Sequence, residues 1–113
     1  MDHDIKMVAV DIDGTFVRSD YTYDVPRFRR ILARMKKAGC SFVVASGNQY
    51  YQLRDLFPDC HEEISFAAEN GAFVKEKTEV VFAADMPEET VHSVIDLCRE
   101  SPEILTVMCG MDS

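Results

Sequence analysis

Lys6-Met7-Val8-Ala9-Val10-Asp11-Ile12-Asp13-Gly14-Thr15 is the stretch on which the fold turns. From Ile5 to Ile12 the chain is almost continuously apolar, and the run ends on two aspartates and an Asp-Gly turn. Such a run predicts a strand buried on both faces, as in a parallel sheet. A polar stretch follows from Arg18 to Tyr23, after which Asp24 can cap a helix that carries Pro26 in its first turn. Phe28, Ile31, Leu32 and Met35 fall at helical spacing, with Arg27, Arg30, Arg34 and Lys37 on the other faces and Gly39 as the stop.

The pattern then repeats. Phe42 to Ala45 reads as a second strand ending at Ser46-Gly47-Asn48. Gln49 to Phe57 reads as a short helix stopped by Pro58, with Tyr50, Leu53 and Phe57 on one stripe. Ile64 to Ala68 is a third strand, ending at Glu69-Asn70-Gly71-Ala72. Phe73–Lys75 and Val80–Phe82 flank a polar turn and predict a hairpin. Beyond it, Pro87 and Glu88-Glu89 open a helix with the stripe Val91, Val94, Ile95 and Cys98, and Ile104 to Cys109 reads as a closing strand. The order β-α-β-α-β, hairpin, α-β predicts an α/β fold with a Rossmann-like parallel sheet over residues 1–82. Residues 83–113 read as the opening of a separate unit. Three short polar turns directly follow the three early strands, where open α/β sheets bind ligands.

With 113 residues, 47% apolar and 28% charged, the chain has the composition of a soluble globular domain. A formal charge of −8 argues against a nucleic-acid partner. An anionic ligand therefore needs a local positive feature, such as a metal ion or backbone amides. Cys40, Cys60, Cys98 and Cys109 form no CxxC pair, which excludes a zinc knuckle or a redox dithiol of that type. No apolar run approaches the ~20 residues that span a bilayer, and Met1-Asp2-His3-Asp4 lacks a signal-peptide pattern. A reduced, cytoplasmic chain with no membrane partner is expected.

Asp11 and Asp13, two positions apart, project to one side if the strand continues through them. Two carboxylates so placed repel, and a hard divalent cation relieves the repulsion. Mg²⁺ suits such a pair because it keeps its remaining positions for water and phosphate. Gly14 lets the backbone turn sharply and aim amide hydrogens at an anion. The plain alternative is an Asp-Gly turn after a strand. An EF-hand calcium loop fails, because the twelfth position counted from Asp11 is Thr22 rather than glutamate. The other constellations are weaker. Asp2-His3-Asp4 reads as a solvated charge run, His61 as a loop residue, and Tyr50-Tyr51 as helix packing more than a sugar platform. His92 and Cys98 could in principle pair as base and nucleophile, but nothing in the sequence brings them together.

The DxDGT at Asp11–Thr15 after an apolar strand resembles the first motif of the haloacid dehalogenase-like hydrolases, hhhDxDGT. The resemblance implies that Asp11 is a nucleophile forming an aspartyl-phosphate and that Asp13 is the general acid and base. It further implies that both belong to a Mg²⁺ site and that Gly14 and Thr15 hold phosphate. Ser46 matches the second motif, a Ser or Thr that hydrogen-bonds the phosphoryl oxygen, with Gly47 beside it. VVASGNQYYQL at Val43–Leu53 and EISFAAENGA at Glu63–Ala72 are similar to the Cof-type branch with a type-IIB cap, close to bacterial sugar phosphatases of the SupH kind. That similarity assigns Asn48 and Asn70 to substrate binding. Many relatives have Thr-Gly-Arg where this chain has Ser46-Gly47-Asn48, so the arginine's contacts are not carried over.

The family's third motif, a lysine, and its fourth, an acidic GDxxND, have no counterpart here. The resemblance therefore implies the N-terminal part of a sugar-phosphate phosphatase, with residues 83–113 beginning its cap. The isolated chain is then expected to be inactive and prone to self-association. A phosphomutase or phosphotransferase of the same superfamily, or a non-catalytic module that holds Mg²⁺ and phosphate, are the alternative readings.

Overall fold

A computed structural model describes residues 4–110. The elements are β1 (Met7–Val10), α1 (Val25–Lys37), β2 (Ser41–Ala45), α2 (Tyr50–Arg54), β3 (Ser65–Ala68), β4 (Phe73–Glu76), β5 (Glu79–Ala83) and α3 (Glu88–Arg99). Short 3-10 turns lie at His61–Glu63 and Glu69–Gly71. One five-stranded sheet runs in the order β1-β2-β3-β4-β5. β1, β2 and β3 are mutually parallel, while β4 and β5 turn back antiparallel. The chain divides into two compact units, one through Ala83 and one from Ala84.

Local chemistry sets the helices. The Asp24 carboxylate accepts the Arg27 amide at 3.1 Å, Pro26 fits the first turn, and Arg34, Lys36 and Lys37 lie where the helix dipole favours cations. Gly39, at φ +70°, lets the chain leave α1. Because β1, β2 and β3 are neighbours in chain order, two right-handed crossovers place α1 and α2 on the same face of the sheet. Phe42 and Val44 of β2 and Phe66 and Ala68 of β3 are buried on that face. Phe28 of α1 packs on Phe42 with ring centroids 5.0 Å apart, and Tyr50 of α2 packs on Phe66 at 5.2 Å. Phe57, fully buried, joins the two halves by stacking against Phe16, Tyr23, Phe28, Phe42 and Phe66.

Three expectations are corrected. β1 is not buried on both faces: Met7 is 60% and Val8 38% exposed. Among the described residues β1 pairs only with β2, so it forms an open sheet edge. α2 ends at Arg54, before Phe57, because the residue ahead of Pro58 is driven out of helical geometry. The backbone tightens there into turns, with the Phe57 amide on the Arg54 carbonyl at 2.8 Å. Ile104–Cys109 forms no strand, since no extended segment within its own unit offers it hydrogen bonds among the described residues. In that second unit Val91, Val94, Ile95 and Cys98 are the half-buried stripe of α3, as the spacing predicted. Asp2 and His3 of the N-terminal charge run lie outside the described residues. Among the described residues, no helix is long and apolar enough to cross a membrane.

Candidate active site

The loop after β1 is pinned by its own apolar residues. Ile12 is fully buried and Val17 3% exposed, and Phe16 packs between Tyr23 and Phe28. The Ile12 carbonyl accepts the amides of Thr15, Phe16 and Val17 at 3.1–3.2 Å, which curls the chain tightly behind the aspartates. With Ile12 facing the core, Asp11 and Asp13 on either side of it are both exposed. Asp11 Oδ1 accepts the Ile12 amide at 2.9 Å, and its other oxygen has no donor among the described residues. Gly14 at φ +73° makes the turn a side chain would strain.

Ser46 follows β2 and is 8% exposed, the one buried polar residue among the described residues. Its amide donates to the Ala67 carbonyl at 3.0 Å, and its carbonyl accepts the Asn70 amide at 3.0 Å. The Glu69 amide donates to the Asn48 carbonyl at 3.0 Å, so the loops after β2 and β3 are laced together. Asn70 adopts a left-handed conformation, φ 57°, and its side chain lies over Gly47. A Cβ at Gly47 would stand 3.1 Å from Asn70 Oδ1, which explains why glycine suits that position. Asn70 is therefore both a turn residue and a residue of the site. Asp11, Ser46, Gly47 and Asn70 together line a cavity of about 400 Å³ at the carboxyl ends of β1, β2 and β3.

Asp13, Gly14, Thr15 and Asn48 are not part of that lining. Asn48 instead points to the first loop: its Nδ2 donates to Asp13 Oδ2 at 3.2 Å, while its amide donates to Ser46 Oγ at 3.1 Å. The Tyr21 phenol is raised above its ordinary pKa by the neighbouring Asp13, through hydrogen bonding and the carboxylate's negative charge. Sequence reasoning passed over Tyr21, because its place depends on a left-handed backbone (φ 62°) that no glycine announces.

Asp11 and Asp13, both exposed on the same loop, carry hard oxygen donors of the kind Mg²⁺ takes alongside water and phosphate. No third His, Cys, Asp or Glu joins them among the described residues. No lysine or arginine lines the cavity either. Lys75 is instead engaged by Tyr50, with Nζ 3.2 Å from the phenol oxygen and 4.7 Å from the ring centre. His92 pairs with Glu88 at 3.6 Å, and the Cys60 thiol is buried, which pushes its pKa up.

The family described as haloacid dehalogenase-like hydrolase matches residues 8–112. The 5-amino-6-(5-phospho-D-ribitylamino)uracil phosphatase YbjI of Escherichia coli (strain K12) is 42% identical over 109 residues, covering 96% of this chain and 40% of the relative. A phosphoglycolate phosphatase of Metallosphaera sedula is 38% identical over 72 residues, covering 62% of this chain and 32% of the relative. The crystal structure of SMU.1108c from Streptococcus mutans UA159 superposes with a TM-score of 0.79 at 42% identity, covering 86% of this chain and 36% of that one. The chain thus spans well under half the length of these relatives. With the family match over nearly all of its residues and DxDGT at the head of its first parallel strand's loop, the chain belongs to the haloacid dehalogenase-like hydrolases.

Proposed function

We propose that this chain carries the nucleophilic half of a phosphatase site that acts on phosphorylated sugars or sugar-like alcohols. The observation that carries the reading is the shared cavity of Asp11 and Ser46, two motif residues brought together by separate strand ends. The free oxygen of Asp11 attacks phosphorus, and the ester P–O bond breaks toward the leaving alcohol. Asp13 gives that oxygen its proton. Asp13 then takes a proton from the water that attacks the phosphorus of the aspartyl-phosphate at Asp11, releasing inorganic phosphate and restoring the carboxylate. Ser46 and the backbone around Gly14, Thr15 and Gly47 hold the phosphoryl oxygens, while Asn70 borders the leaving group. When bound by Asp11 and Asp13, Mg²⁺ supplies the positive charge that lets a carboxylate approach a phosphate. The name of the Escherichia coli relative, a phosphatase of a phosphorylated ribityl compound, supports a sugar-like alcohol as leaving group.

Asp11→Asn in the natural protein is expected to abolish turnover, and beryllofluoride to form an adduct with the unchanged residue only. Residual phosphatase activity in a verified Asp11→Asn preparation would exclude Asp11 as nucleophile.

A further inference from the structure

The turn after β3 runs through three successive residues with positive φ: Glu69 at 51°, Asn70 at 57° and Gly71 at 91°. Glycine takes that region freely and asparagine more readily than most residues, but for glutamate it is unfavourable. Backbone so placed persists only where its surroundings impose it. What imposes it here is the neighbouring loop. Two successive amides cross to the end of β2, Glu69 to the Asn48 carbonyl and Asn70 to the Ser46 carbonyl, each at 3.0 Å. Ser46 is thereby tied at both of its backbone groups, since its own amide donates to the Ala67 carbonyl at 3.0 Å. Both tethers come from β3 and the turn that follows it. Ser46 Oγ accepts the Asn48 amide at 3.1 Å, which leaves the hydroxyl proton for an acceptor in the cavity that Ser46 lines with Asp11 and Asn70. With Ser46 only 8% exposed, the direction of that hydroxyl follows the direction of its backbone.

We propose that Asn70 is a positioning residue for phosphate: its left-handed backbone delivers the amide that fixes Ser46, and so aims the Ser46 hydroxyl at a phosphoryl oxygen. This role rests on the phosphatase reading above and goes beyond it. There Asn70 borders the leaving group, whereas here it acts on the phosphate itself, through Ser46. The role accounts for asparagine at the centre of the turn, a residue that visits the left-handed region routinely while keeping a side chain. A hydrogen bond from a hydroxyl to an anion is strong only when it is aimed. Phosphate affinity should therefore follow how easily residue 70 holds its backbone.

The test titrates the protein with inorganic phosphate in the presence of Mg²⁺, a probe that carries no leaving group. Asn70→Gly, Asn70→Ala and Asn70→Val form a series of falling tolerance for left-handed backbone. Ser46→Ala is expected to weaken phosphate binding about tenfold, the scale of one hydrogen bond to a charged group. Asn70→Ala should weaken it about threefold, and Asn70→Val should approach the Ser46→Ala loss. Asn70→Gly, which restores backbone freedom without the side chain, should recover most of either loss. In a Ser46→Ala background neither Asn70→Ala nor Asn70→Val should add a further loss. A loss with Asn70→Gly as large as with Asn70→Val overturns the proposal, because the side chain would then be what phosphate meets. A loss that persists without the Ser46 hydroxyl overturns it as well. If the unchanged protein binds no phosphate, or Ser46→Ala leaves binding intact, the phosphatase reading of the cavity falls and this role falls with it. If Ser46→Ala weakens binding and the Asn70 series does not, the positioning role alone is wrong. Should Asn70→Val fail to fold, Asn70→Ala against Asn70→Gly decides.

Discussion

Tyr23 shows how a single side chain in this chain serves both packing and polarity. Its ring lies 4.9 Å from Phe16 and its hydroxyl donates to the Leu56 carbonyl, so one residue ties the loop behind the aspartates to the end of α2. Burial pushes its pKa from 10 up to about 12. The neutral phenol is the form the fold stabilises, so its contribution is complete below pH 10 and is lost as pH rises toward 12. Chemical denaturation at stepped pH should show stability falling through that window, and Tyr23→Phe should make the fall shallower. The buried Cys60 thiol, also raised, leaves part of the slope in place. At this scale the site was partly legible. Asp11, Ser46 and Asn70, which line one cavity, stand out because each follows an apolar strand, where geometry leaves few choices. Tyr21 and the reach of Asn48 to Asp13 were not, since both depend on loop conformations that no side-chain pattern encodes.

At the scale of elements, the helices and the hairpin were readable because their determinants are local: the Asp24 cap, the apolar stripe of α1, and the polar turn between β4 and β5. The exposure of β1 was not, because apolar composition records what a strand is suited to and pairing decides what it receives. Ile104–Cys109 makes the same point, being strand-like in residues yet without a ladder among the described residues. The joint between elements is Phe57, placed just past α2 and touching rings from α1, β2 and β3. Phe57→Ala should cost about 3–5 kcal/mol, the usual range for an aromatic truncated in a packed core. A shift in the urea midpoint measures it. A cost under about 1 kcal/mol would mean that the cluster repacks around the gap.

For the molecule as a whole, the balance between exposed apolar surface and charge sets behaviour in solution. Ile5 and Met7 on the open edge are 58% and 60% exposed, and Leu105 in the second unit is 91% exposed. Unpaired edges and apolar patches of this kind promote association. Sedimentation of the 113-residue chain should therefore reveal self-association, reduced by Val8→Lys at the edge. With no lysine or arginine lining the cavity among the described residues, the chain should hydrolyse a sugar phosphate at least about 10²-fold more slowly than the full-length Escherichia coli relative, the cost of one missing preorganised donor elsewhere. Comparable turnover would show that these residues suffice.

The sheet's connectivity also imposes a schedule. Lys75 pairs with Val80 across a tight turn, whereas Met7 must wait for Ser41, and Val43 for Ser65. A hairpin closes in about 1–10 μs, while synthesis adds only about 5–20 residues each second. The Asp11–Thr15 loop is thus made several seconds before the Asn48 and Asn70 loops that complete its surroundings. The residues of this first loop wait for the loops that surround them, and a growing chain displays the apolar edge of β1 throughout that interval.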